Sequence, residues 1–302
     1  GDRPGLAEAL RWPRSGNCRV RIVTVPPESH RQLDNADGLP LHQMIAKNVG
    51  IRRSRGDFVV ATNIDVLFSD PLMEFLGSEN LRENAWYRAD RHDVGGDAPT
   101  GVSVERQLLF CRDNLLRIHK RDGSIDIESG GFERIYRRPM LIRAFLLLSP
   151  LSFFPGLGPM LENARRSLRL YNACGFLHTN GSGDFTMMAR GDWHKLRGYW
   201  EFPGFPIHLD GLLCHAAKFA NMKEIALSEE SPIYHIEHGA GSGYGGYVSG
   251  EKWASLEKSG VPRMTPELYL NIIFEMSTGA LPYVQNKEDW GLADEHLREV
   301  TP

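Results

Sequence analysis

Three features of the chain predict an α/β fold, with a mostly parallel sheet flanked by helices and a helical C-terminal tail. The first is Phe58-Val-Val-Ala61, a short apolar run with adjacent valines, which is the pattern of a buried strand. The second is Asp70-Pro71, where Asp suits an N-cap and Pro the first helical position. The third is Asn63-Ile64-Asp65, which falls between them at the strand's C-terminal edge. Open α/β sheets bind ligands beyond that edge. A carboxylate there meets a ligand or a metal, or else caps a turn. The strand alone leaves both readings open.

The bulk composition narrows the class. A chain of 302 residues, 41% hydrophobic and 24% charged, buries a sizeable core and has the balance of a globular protein. A net charge of -3 argues against a general nucleic-acid binder. Cys18, Cys111, Cys174 and Cys214 form no Cys-x-x-Cys pair, so they read as reduced thiols. With no secretory pattern at the N-terminus, a cytoplasmic location is expected.

Taken in order, Leu6 to Leu10 reads as a helix end and Cys18 to Val25 as a strand. Leu41 to Arg53 is a helix with Leu41, Met44, Ile45 and Val49 on one side. Lys47 and Asn48 lie near its middle, where a lysine either reaches a diphosphate or is a solvated helix charge. Trp86 to Asp93 reads as one strand, and its dense charges suit either an acceptor wall or an exposed edge. Asp113 to Gly131 is polar and loop-like.

Met140 to Met160 is apolar, yet Arg143, Pro150 and Pro155 break it well short of the ~20 apolar residues of a span. It reads as a flap over a site. The rival reading is a peripheral membrane contact through 140–169, with Arg165, Arg166 and Arg169 at the headgroups.

Asn172 to Arg190 is a glycine-rich turn leading into a strand. Its glycines permit close backbone approach to a ligand. Asp184, at the strand entry, either binds sugar hydroxyls or bonds the turn's own amides. Asp192 to Arg197 is a short helix stopped by Gly198. A second helix runs from Leu212 to Ala220, with Asp210 at its start as N-cap, catalytic base or both. In Ser231 to His238, strand alternation puts His235 and Glu237 on one face and His238 on the other, so from a regular strand the two histidines cannot bind one metal. The tail from Glu251 reads as helical, and Asn286 to Leu292 as an exposed turn that folds back over the site.

Met44 to Gly56 (Met-Ile-Ala-Lys-Asn-Val-Gly-Ile-Arg-Arg-Ser-Arg-Gly) resembles the helix that precedes the Asp-x-Asp strand in nucleotide-sugar glycosyltransferases of the GT-A fold. Asn63-Ile64-Asp65 looks like a variant Asp-x-Asp, and Trp193 to Asp210 looks like the later "G-G-F-…-E-D" segment. The likeness is to glycosyltransferase family 2 and covers Ala46 to His238 in pieces. The family's first strand is missing or lies outside this sequence, and Pro26-Pro27-Glu28 stands where an Asp is expected.

The resemblance implies a single GT-A domain of Rossmann-like type. Its parts are a nucleotide-binding half at 1–110, an acceptor and catalytic half at 170–250, and a helical tail at 251–302. It implies transfer of a sugar from a nucleotide-sugar donor to a glycan or other acceptor hydroxyl, with inversion, in polysaccharide or glycoconjugate synthesis of the bacterial type. Asp210 is then the catalytic base. Lys47, Asn48, Asn63, Asp65 and Asp184 bind the donor. Asp65 and His238 hold Mn²⁺ or Mg²⁺, which neutralises charge on the diphosphate. A retaining transferase, or a nucleotide-sugar or glycan-binding module without catalysis, remains the alternative.

Overall fold

The computed structural model describes residues 5–12, 18–78, 80–135, 139–238, 258 and 260–302. The first elements are α1 (Leu6–Ala9), β1 (Ile22–Thr24), α2 (Pro27–Arg31), α3 (Gln43–Arg52), β2 (Phe58–Thr62), β3 (Val66–Phe68) and α4 (Asp70–Leu76). Next come β4 (Ala85–Arg88), β5 (Arg91–Val94), α5 (Val104–Asp113), β6 (Leu115–His119), β7 (Gly123–Asp126), β8 (Phe132–Arg134), α6 (Pro139–Leu146) and α7 (Leu157–Cys174). The chain continues with β9 (Phe185–Ala189), α8 (Arg190–Leu196), α9 (Leu209–Phe219), β10 (Lys223–Ala226), β11 (Ile233–Ile236), α10 (Pro266–Thr278) and β12 (Arg298–Val300).

The fold is mixed α/β, as expected, but the sheets are not mostly parallel. A four-stranded sheet has the order β10-β4-β9-β2, and a six-stranded sheet the order β3-β11-β5-β6-β7-β8. Among the described strands β10–β4 and β11–β5 pair in parallel and the other strand pairs are antiparallel. Hydrophobic runs betray burial on both faces, not strand direction, and β4 and β9 are buried along their whole length. Alternation sends Trp86 and Met188 to one core, with Met44, Trp193, Leu212 and Ile273. It sends Tyr87 and Met187 to the other, with Leu72 and Ile233.

Three ribbons cross from one sheet into the other at a crease: β2 to β3 through Asn63–Asp65, β4 to β5 through Ala89–Asp90, and β10 to β11. Trp86–Asp93 is therefore two strands in the sheet interiors, and neither an acceptor wall nor an exposed edge. Its charges are paired internally. Arg88, fully buried, donates to His178 O and Asn180 O at 2.9 Å each and to Thr186 Oγ1 at 3.2 Å.

Other boundaries also moved. Asp113–Gly131 holds the β6–β7 hairpin in place of a loop. Ser69 takes the N-cap position and Asp70 opens α4. Met140–Met160 folds as α6, a 3₁₀ turn at Ser149–Leu151 and the start of α7, leaving many apolar side chains exposed. No helix among the described residues is long and apolar enough to cross a membrane. Among the described residues the tail carries the helix α10 (Pro266–Thr278), and its end returns as β12 to pair antiparallel with β1. Residues 251–257 of that expected tail, and Gly239–Gly243, lie outside the described residues. Asn286–Leu292 does not cover the site, because Asn286 bonds Arg197 O and Tyr199 O while Trp290 is buried beneath Arg52.

Candidate functional site

The crease concentrates the polar groups. Asp65 leaves the end of β2, and its backbone carbonyl accepts Ile236 N–H at 2.9 Å, which ties it to the end of β11. Its Oδ2 lies 2.7 Å from His238 Nε2 and 3.7 Å from His235 Nε2. Its Oδ1 is buried and has no hydrogen-bond partner among the described residues. The two histidines were expected to stand apart on a regular strand, but the strand does not reach His238. Strand β11 ends at Ile236, so alternation stops there and His238 turns back beside His235, with ring centroids 5.5 Å apart.

Behind His235 stands Asp93. His235 Nδ1 is 3.2 Å from Asp93 Oδ1, though out of line for a full hydrogen bond. A carboxylate behind a ligating imidazole fixes its tautomer and leaves the other nitrogen facing the ion. Burial works to lower the His235 pKa, but the Asp93 carboxylate outweighs burial and raises it. Burial likewise opposes the Asp93 charge, yet His119, at 2.8 Å, with His235 and Arg91 holds its carboxyl far below the usual range.

A second cluster, Asp93, His235 and Glu237, also brings its donor atoms together. Its carboxylate is already paired with Arg91 at 2.8 Å and hydrogen-bonded with His119. The Asp65, His235 and His238 group is therefore the better cation seat. Two imidazoles and one carboxylate suit Mn²⁺ or another transition ion more than Mg²⁺, which prefers oxygen donors.

Asp184 enters β9 from the glycine-rich turn and is buried. One oxygen pairs with Arg91 at 2.7 Å and the other accepts from Asn63 Nδ2 at 2.5 Å. Both oxygens are therefore engaged inside the protein, and Asp184 positions Asn63 and Arg91 where a sugar contact was expected. Lys47 Nζ bonds Gly183 O and stands 5.7 Å from the Tyr199 ring centre. Burial lowers its pKa against the pull of the Asp184, Asp210 and Asp65 carboxylates.

Asp210 is not the N-cap of α9. His208 holds that position with a left-handed φ of 64°, and Asp210 falls in the first turn. Its Oδ2 lies 2.8 Å from Ser182 Oγ, and the residue is partly exposed, as a base that meets a substrate must be. Arg88, by holding the carbonyls of His178 and Asn180, shapes the turn that brings Ser182 there.

Asn48 is corrected outright as a donor-binding residue. It is fully buried and clamps Tyr199 and Glu201. Sequence patterning missed Arg91, Asp93, His119 and Ser182, and set His235 apart from His238. The charges packed into Trp86–Asp93 were the one signal for the first two. In comparisons with protein-family models, curated proteins and solved structures nothing matches this chain, so the geometry itself carries the functional argument.

Proposed function

We propose that the protein is a metal-dependent glycosyltransferase of GT-A type, moving a sugar from a nucleotide-sugar donor to an acceptor hydroxyl with inversion. The observation that carries this reading is the convergence of His235 and His238 on Asp65, whose Oδ1 remains unpartnered among the described residues at the end of β2. Asp65, His235 and His238 hold the cation. A divalent ion bound there supplies countercharge to the diphosphate leaving group. Lys47 adds a second positive charge from α3. Asp210, whose carboxylate acts on Lys47 as that of Asp65 does, accepts the proton of the acceptor hydroxyl as it attacks the anomeric carbon. Asn63 and Arg91, tied together by Asp184, keep the Asp65 loop in place.

A second reading, a nucleotide-sugar-binding module without turnover, draws on Asn63, whose amide donates to Asp184 and accepts from Gln43 at 3.4 Å. Slow hydrolysis of a nucleotide sugar by the purified protein separates the two.

The decisive measurement is thermal stability against a panel of nucleoside diphosphates, with and without Mn²⁺, for wild type and Asp65→Ala. A ligand at 100 times its Kd stabilises the native state by about 2.7 kcal/mol. Wild type should show a Mn²⁺-dependent shift that Asp65→Ala lacks. Equal shifts in both proteins would remove Asp65 from the site, and no shift with any nucleotide would remove the transferase reading.

A further inference from the structure

A cavity of about 480 Å³ lies among α6, α7, α9 and α10, next to the turn that carries Ser182. Ile142, Leu170, Cys174, Phe176, Leu270 and Ile273 give it apolar walls. No Asp, Glu, Lys or Arg is among the described residues that line it. Its two histidines are neutral at pH 7: burial pushes His215 down to about 4 and lowers His208 as well, Asp210 opposing.

The cavity adjoins the proposed base. Thr179 lines it, and Ser182 Oγ lies 2.8 Å from both Thr179 O and Asp210 Oδ2. Gly211, the next residue after Asp210, packs so close that an added methyl would lie 2.9 Å from Tyr269 Oη and 3.6 Å from Thr179 Cβ. The hairpin that supplies Ile142 is also the most apolar exposed surface, with Met140 80%, Leu147 79% and Phe153 74% exposed. Apolar surface of that extent marks an interaction site.

We propose that this cavity receives the apolar tail of an amphiphilic acceptor, a hydroxyl-bearing molecule with an acyl or isoprenoid chain, and so presents its hydroxyl to Asp210. The word acceptor rests on the transferase reading; the seat for an apolar chain rests on the cavity alone. At about 30 Å³ for a group the size of water, 480 Å³ holds a chain on the order of fifteen carbons. The described lining residues are uncharged, which suits such a chain. The exposed apolar hairpin gives the chain a path that stays out of water.

The test uses alkyl glucosides of increasing chain length as probes, each below its micelle concentration, with binding followed by calorimetry on the full chain. Each buried methylene should raise affinity about fourfold, until the cavity is full. Ser167→Trp, at an exposed lining position, and Cys174→Phe, at a buried one, fill the space from two sides. Both should flatten the chain-length dependence, and Ser167→Trp should do so with its melting temperature unchanged. Affinity independent of chain length in wild type, or the same series in the folded Ser167→Trp protein, would overturn the proposal. Titration of the same samples with nucleoside diphosphate and Mn²⁺ reads the transferase assignment separately, so its failure does not alter the cavity result.

Discussion

Replacing Asn48 with alanine decides whether this residue holds the fold or meets a ligand. Its amide donates to Tyr199 O at 2.7 Å and Glu201 Oε1 at 2.9 Å, and accepts from Tyr199 N–H at 2.8 Å. Two of those partners keep another bond without it. Tyr199 O still accepts from Asn286 Nδ2 at 2.6 Å, and Glu201 Oε1 from Gly291 N–H at 2.7 Å. Only the Tyr199 N–H is orphaned, which costs about 1–3 kcal/mol, and each lost bond from Nδ2 adds about 0.5–1.5 kcal/mol. The expected loss is about 2–6 kcal/mol, or a fall in Tm of about 3–10 °C for a chain of this size. Urea unfolding and thermal melting of both proteins measure it. A variant within about 1 kcal/mol of wild type, with weakened nucleotide binding, would refute the clamp. Asn48→Asp sharpens the test, because it turns the donor into an oxygen facing Glu201. Burial already raises the Glu201 pKa against the pull of Asn48, so this variant should lose stability as pH rises and the two carboxyls ionise.

Three further outcomes follow from the same geometry. Gly198 has a φ of +70° and packs its Cα against the Asn48 amide. Gly198→Ala should therefore destabilise by more than the ~1 kcal/mol of an ordinary glycine exchange, read by urea unfolding. Asp210→Asn should lose on the order of 10²–10⁴ in sugar transfer while melting near wild type; near-normal transfer would end its role as base. His215 is held down to about 4 by burial, with Gly211 O pulling the other way, while the unfolded chain protonates near 6.5. Its contribution is complete above pH 6.5 and drains away as pH falls to 4, reaching about 3 kcal/mol. Unfolding free energies of wild type and His215→Gln across that range should diverge by up to that amount; parallel curves would refute the assignment.

Local pattern alone determined much of this protein. The run Phe58–Ala61 is a strand and a proline-led helix follows it, because β-branched density and a fixed proline φ act within a few residues. Asp65, Lys47 and Asp210 stood out as candidates because charged groups at a strand end or within a helix contrast with an apolar frame. Strand direction was not legible, since a doubly buried strand looks the same in a parallel or an antiparallel sheet. Nor was the meeting of His235 with His238, which depends on β11 stopping one residue past the first histidine. Asn48 and Asp184 read as ligand contacts until the fold supplied partners from 151 and 121 positions away in the chain. Whether a polar side chain faces a ligand or the protein's own backbone depends on which distant groups arrive beside it. Only tertiary packing decides that, because a buried polar group must find its hydrogen-bond partners wherever the chain brings them.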